Sequence, residues 1–105
     1  MKFEFDIIVE RILDENKIRS ELEKEGWKFD SKTNKFEKSY KKRKKTLDAW
    51  LSITQLNSKQ YNIIFDYEFV SPSGADSSEF EDTIDEKNLI KTVKKLWDEN
   101  IDMYF

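Results

Sequence analysis

At the start of the chain Phe3, Phe5, Ile7 and Val9 alternate with Lys2, Glu4 and Asp6, the period of two that a half-buried β-strand requires. From Asp14 the period lengthens. Ile18 and Leu22 stand four apart, Leu13 and Ile18 occupy the positions of a hydrophobic staple around a capping Asp14, and Gly26 is placed to close a C-terminus, so a helix is expected over residues 15–25. After Gly26 the period of two returns with Trp27 and Phe29, then the polar SKTN, then Phe36, Lys38 and Tyr40. This reads as a hairpin turning at 31–34, with short, peripheral strands. The strongest strand pair is TLDAWLSITQL (46–56) and YNIIFDYEFV (61–70), rich in aromatic and β-branched residues.

The register of that pair is legible, because a slip of one residue turns every side chain to the opposite face. A connection with an odd number of residues, three or five, gathers Leu47, Ala49, Leu51 and Ile53 with Ile63, Phe65, Tyr67 and Phe69 on one face. The other face then carries Asp48, Trp50, Ser52 and Thr54 with Asn62, Ile64, Asp66 and Glu68. An even connection mixes polar and apolar residues on both faces, so the odd one is expected. Trp50 and Ile64 on the polar face need a cover, and a helix or the N-terminal hairpin would supply it. Left open, they form an aromatic anchor beneath a carboxylate rim.

Beyond the pair, SPSGADSS (71–78) holds the only Pro and the second of two Gly and reads as the clearest loop. Residues 79–83 fit an edge strand, and Thr83 with Glu86 fits a capping box that opens a helix. Within it Leu89, Ile90, Val93, Leu96 and Trp97 recur at spacings of three and four, opposite Lys87, Lys91, Lys94, Lys95 and Glu99. The last five residues, IDMYF, fit either a final strand or the frayed end of the helix. Neither amphipathic helix is stable alone, and packing on a sheet buries both. The expected fold is therefore α+β, a mainly antiparallel sheet of four to six strands with two helices in the order β-α-β-β-β-β-(β)-α, forming one domain over residues 1–105.

Composition narrows the chemistry. The chain has neither Cys nor His, which removes disulfides, thiolate nucleophiles and metal sites, and the commonest general base and zinc ligand. Asp66 and Glu68 share a strand face, the least that paired-carboxylate chemistry requires. No Gly-rich phosphate loop or suitably spaced Lys accompanies them, so no enzymatic activity, metal or cofactor is expected. Acids at Glu4 and Asp6 interrupt the start of the chain and no run approaches 18 apolar residues, so neither a signal peptide nor a membrane span is expected. The expectation is a cytoplasmic protein.

Charge is segregated rather than diluted. Against a total of -3, residues 1–34 carry a net -2, residues 35–59 a net +6 and residues 60–105 a net -7. The positive pole is the run Lys41, Lys42, Arg43, Lys44 and Lys45 beside Tyr40, five cations that could contact phosphates next to a stacking ring. Its Lys44 and Lys45 end is expected to be held at the sheet, with Lys41 to Arg43 in the preceding connection and the whole run facing solvent or the chain's own acids. The negative pole is Asp76, Glu79, Glu81, Asp82, Asp85 and Glu86, six carboxylates within eleven residues, able to dock on a basic groove. Acids at a helix start explain part of that cluster without a partner.

The function these features favour is a small non-enzymatic protein-interaction module, an inhibitor of the phage anti-defence (such as anti-CRISPR) or immunity kind. Its expected partner is a protein with a basic groove, engaged by the acidic cluster and by Trp50, Ile64, Asp66 and Glu68. The alternative is a nucleic-acid-associated protein acting through residues 40–45. Either an exposed sheet edge or the Trp50 face could also pair two copies into a homodimer.

Overall fold

A computed structural model describes residues 17–105. The expected first strand at 3–9, and Leu13 and Asp14 ahead of the first helix, lie outside the described residues. Helix α1 covers 17–24, followed by β1 (Lys28–Asp30), β2 (Lys35–Lys42), β3 (Lys45–Gln55), β4 (Gln60–Ser71), β5 (Gly74–Asp85) and α2 (Glu86–Tyr104). The strands form one antiparallel sheet in sequential order, β1-β2-β3-β4-β5. The α+β architecture and its order are those the hydrophobic pattern implies.

Helix α1 ends where glycine allows it. Gly26 adopts φ +96°, and the Trp27 N–H donates to the Leu22 carbonyl (3.0 Å) while the Gly26 N–H donates to that of Glu23 (3.1 Å). Paired bonds of this kind satisfy the orphan carbonyls of the last turn. They also drop Trp27 into the core, where it is 2% exposed. Its ring meets Phe65 and Trp97 edge-on, each at 6.0 Å, a geometry that aromatic quadrupoles favour. Beside it Lys38 of β2 donates to the Glu25 carbonyl at 2.5 Å and lays its ammonium 4.7 Å from the Trp97 ring centre. Burial pushes this ammonium below the ordinary lysine range, against the opposing pull of Glu25 and Asp98.

In the central pair Leu47 faces Phe69, Ala49 faces Tyr67, Leu51 faces Phe65 and Ile53 faces Ile63, with five residues between the last paired positions, Gln55 and Tyr61. This is the odd connection expected from the pattern. Asn57 shapes it, its side-chain carbonyl accepting the N–H groups of Lys59 (2.9 Å) and Gln60 (3.0 Å). Both helices lie against this inner face: Ile18 and Leu22 of α1 join Leu89, Val93 and Trp97 of α2 in one core with Leu47, Leu51, Ile63 and Phe65.

Three expectations about local structure are corrected. The stretch 71–78 is not a loop: Ser71 pairs with Gly74, leaving Pro72 and Ser73 as a two-residue turn, and β5 runs twelve residues from Gly74. Cross-strand backbone bonds to β4 hold this polar segment extended although its own pattern suggests otherwise. No capping box forms, because Thr83 is committed to pairing with Asn62; Asp85 is the N-cap, without a side-chain bond to the helix, and the Glu86 N–H is taken instead by the Lys59 carbonyl at 2.7 Å. Strand β2 is not peripheral: among the described residues the three-residue β1 lies outside it, and seven of its residues pair with β3. Of the two alternatives for the tail, the structure takes the helical one, with residues 101–104 in α2.

Candidate functional site

Strand alternation places Glu37, Ser39 and Lys41 of β2, Asp48, Trp50 and Ser52 of β3, Ile64, Asp66 and Glu68 of β4, and Ser77, Glu79 and Glu81 of β5 on the face away from the core. Rows of partners cross it. In the central row Glu37 faces Trp50, Trp50 faces Asp66 and Asp66 faces Glu79. In the next row Ser39 faces Asp48, Asp48 faces Glu68 and Glu68 faces Ser77, while Ile64 sits between Ser52 and Glu81. Neighbouring strands are about 4.8 Å apart, so Glu37 and Asp66 flank Trp50 directly, Asp48 and Glu68 belong to the next row, and Glu79 and Glu81 stand two strands away on the same face. Trp50 and Ile64 are both part-exposed, and among the described residues neither helix covers them.

Among the described residues these acids have no counter-ion: the ion pairs there are Arg19 with Glu23 and Lys95 with Glu99, both between successive turns of a helix. The hydrogen bonds to the face carboxylates come from neutral groups: Ser39 Oγ donates to Asp48 Oδ1 at 2.5 Å and Asn62 Nδ2 donates to Glu81 Oε2 at 3.0 Å. Two pairs, Asp48 with Glu68 and Asp66 with Glu79, set like charges directly opposite, which destabilises a sheet.

The two residue sets expected from the sequence therefore partly merge. Glu79 and Glu81 join Trp50, Ile64, Asp66 and Glu68 on one surface, whereas Asp76 and Asp82 point to the inner side of the same strand. Asp76 accepts a hydrogen bond from the Tyr104 hydroxyl, which in turn accepts one from Tyr67 at 3.0 Å. Burial, with these two bonds, raises Tyr104 well above the ordinary tyrosine range. Asp82 accepts the N–H of Thr83 at 2.8 Å, and Asp85 and Glu86 open α2. Glu37 was not expected on the face; its alternation with Phe36 and Lys38 was readable, but its position opposite Trp50 needed the β2–β3 register.

The basic run forms the tip of the β2–β3 hairpin. Lys41 and Lys42 end β2, Arg43 and Lys44 make a two-residue turn and Lys45 begins β3, so Lys41 and Lys42 belong to a strand rather than to the connection expected there. All five are exposed. Among the described residues no acid pairs with them, and the run's side-chain bond is Lys45 Nζ to the Tyr104 carbonyl at 3.3 Å. An open cleft of about 490 Å³ lies beneath the tip, lined by Lys42 to Lys45 with Pro72 and Phe105. Tyr40 is 41% exposed and stands edge-on to Phe105 at 4.9 Å.

At the opposite end of the sheet a smaller pocket of about 220 Å³ lies among Ile18, Arg19, Phe29, Gln55 and Tyr61. Among the described residues no group of carboxylates is placed to hold a metal ion, and no helix is long and apolar enough to cross a membrane. No protein family, curated protein or solved structure matches this chain.

Proposed function

We propose that this chain is a non-enzymatic protein-interaction module that covers a basic surface of a target protein with its outer sheet face, acting as an inhibitor by occupancy. One observation carries the reading: six carboxylates, two pairs of them directly opposed, share one sheet face with a part-exposed Trp50 and have no counter-ion among the described residues. Such an arrangement costs stability in the free protein. A cationic partner relieves that cost, and the tryptophan supplies the desolvated anchor on which interface energy concentrates. The small size and the segregation of charge suit an inhibitor of the kind phages direct against host defence.

The test is capture from host lysate by the immobilised protein, with variants deciding what is specific. Trp50→Ala and the double change Asp66→Asn with Glu79→Gln should each weaken capture of the same protein, while Lys95→Ala on the exposed side of α2 should not. Capture that survives both face variants removes the proposal.

A second reading has its own observation. Lys42 and Lys45 are direct cross-strand partners, and Arg43 sits at φ 58°, where Gly or Asn is the usual choice. A turn so poorly suited to folding is what phosphate binding would explain, and Tyr40 and Phe105 offer stacking surfaces beside it. Mobility shift of single- and double-stranded DNA and RNA at low salt decides. Replacing Lys41, Lys42, Arg43, Lys44 and Lys45 by Gln should abolish a shift, and a shift that persists refutes this reading.

A further inference from the structure

Strand β5 is twelve residues long, lies at the end of the strand order, and is exposed along its length except at Ile84. Its backbone parity follows from the turn that opens it. In a two-residue turn the flanking residues share the turn's own hydrogen bond, so Gly74 bonds to Ser71 of β4. Bonded and non-bonded pairs then alternate: Asp76, Ser78, Phe80 and Asp82 turn their N–H and C=O toward β4, and Ala75, Ser77, Glu79, Glu81 and Thr83 turn theirs away. The Thr83 N–H agrees, since it is taken by the Asp82 carboxylate. Among the described residues no strand pairs with this outward side.

Edges of this length are normally blunted by charged side chains, inward-pointing charges, Pro or a bulge. Here the charges are all of one sign: β5 has no Lys, Arg or Pro and five acids among its twelve residues, Asp76, Glu79, Glu81, Asp82 and Asp85, so the edge repels an acidic strand and admits a cationic one. Pairing with a second copy of itself sets acid against acid. The same residues that offer outward backbone, Glu79 and Glu81, carry their carboxylates onto the Trp50 face, and between them Phe80 presents a 39% exposed ring to the inner side.

Resting on the interaction reading above, we propose that β5 accepts an antiparallel strand from the target: an extended segment with Lys or Arg opposite Glu79 and Glu81 and an apolar residue between them, packing against Phe80. Main-chain bonds to Ser77, Glu79 and Glu81 supply affinity, and the alternation of cation and apolar residue supplies selection, as in other strand-addition complexes. The incoming strand extends the outer face by one row, so that its cations meet the carboxylates of that face.

The experiment uses the full chain and an acetylated, amidated nonapeptide of alternating Lys and Val. In hydrogen-exchange NMR the amides of Ala75, Ser77, Glu79 and Glu81 should exchange fast in the free protein and become protected when the peptide is added. Lysines opposite Glu79 and Glu81 direct their own N–H groups at β5, whereas the valines direct theirs to solvent. N-methylation of the lysines should therefore weaken binding by about tenfold or more, since at least two hydrogen bonds are lost, and N-methylation of the valines should leave it nearly unchanged. Equal binding by both methylated peptides, or slow exchange of these amides in the free protein at every dilution, overturns strand addition. Equal binding that Trp50→Ala still weakens discards the edge and keeps the face; lysine-methyl sensitivity without any effect of Trp50→Ala discards the face and keeps the edge.

Discussion

The two faces of strands β3 and β4 are built from the same alternating residues and do opposite things. On the inner face Leu47, Leu51, Ile63 and Phe65 are at most 1% exposed and are covered by both helices. The outer face repeats the same strand geometry with Asp48, Trp50, Asp66 and Glu68, a single aromatic among acids. Burial of apolar area contributes about 25 cal/mol per Å², so the inner face carries the stability of the sheet. The outer face works against it through opposed carboxylates. A surface that a fold tolerates at a cost to itself is a candidate for selection by something other than folding.

That contrast can be broken by substitution, and the largest effect belongs to the inner face. Phe65→Ala removes the ring that Trp27 meets edge-on and should cost about 3–5 kcal/mol in denaturant unfolding, whereas Trp50→Ala should cost under half as much while weakening partner capture. Similar losses for the two would show that Trp50 is a core residue. Next in size is Gly26→Ala. The added Cβ has only the Lys38 side chain within reach, at 3.5 Å, so the penalty is that of φ +96°, about 1–2 kcal/mol, and a smaller value would mean that α1 can end without its paired bonds.

On the acidic face the sign should reverse. Asp66→Asn removes one of two opposed charges and should stabilise the protein by about 0.2–1 kcal/mol at low salt, a gain that shrinks as salt screens the face. Destabilisation would expose an unrecognised counter-ion. The tip offers a similar reversal: Arg43→Gly relieves the positive φ and should raise the unfolding midpoint slightly.

At the rim of the inner face lies a pH effect. The Tyr104 hydroxyl, held by Asp76 and Tyr67, has a folded pKa above its unfolded value. The native state therefore binds more protons than the unfolded one at high pH, so its contribution to stability is complete below about 10 and is lost as pH rises further. Lys38 has the opposite sign, its depressed pKa relieving a buried charge as pH rises toward the ordinary lysine value. Ultraviolet titration should find the Tyr104 phenol ionising above the ordinary tyrosine range, a component that Tyr104→Phe removes. A high-pH titration left unchanged by Tyr104→Phe would contradict the Asp76 bond.

Particular elements explain why some of this was legible in advance. The odd β3–β4 register, the end of α1 at Gly26 and the apolar stripe of α2 are each written in local periodicity, because each buries a continuous set of side chains against one neighbour. Residues 74–78 of β5 carry a loop pattern because Ser, Gly and Asp are poor strand formers, and their extended state comes from pairing with β4. Glu37 entered the face only through the β2–β3 register, and Asp76 and Asp82 left it through the same alternation that kept Glu79 and Glu81.

What the chain alone determined, then, is which residues are buried and which are charged, since hydrophobic period and charge are properties of neighbours in sequence. The fold class and the central register followed from them. Only the tertiary structure decided which charges meet: it set six carboxylates from four strands on one face with Trp50, gathered five cations at one hairpin tip with Lys41 at the end of that face, and left β5 at the edge of the sheet among the described residues. Cross-strand pairing joins residues far apart in sequence, and their electrostatic cost or benefit appears only once they stand within a strand spacing of each other.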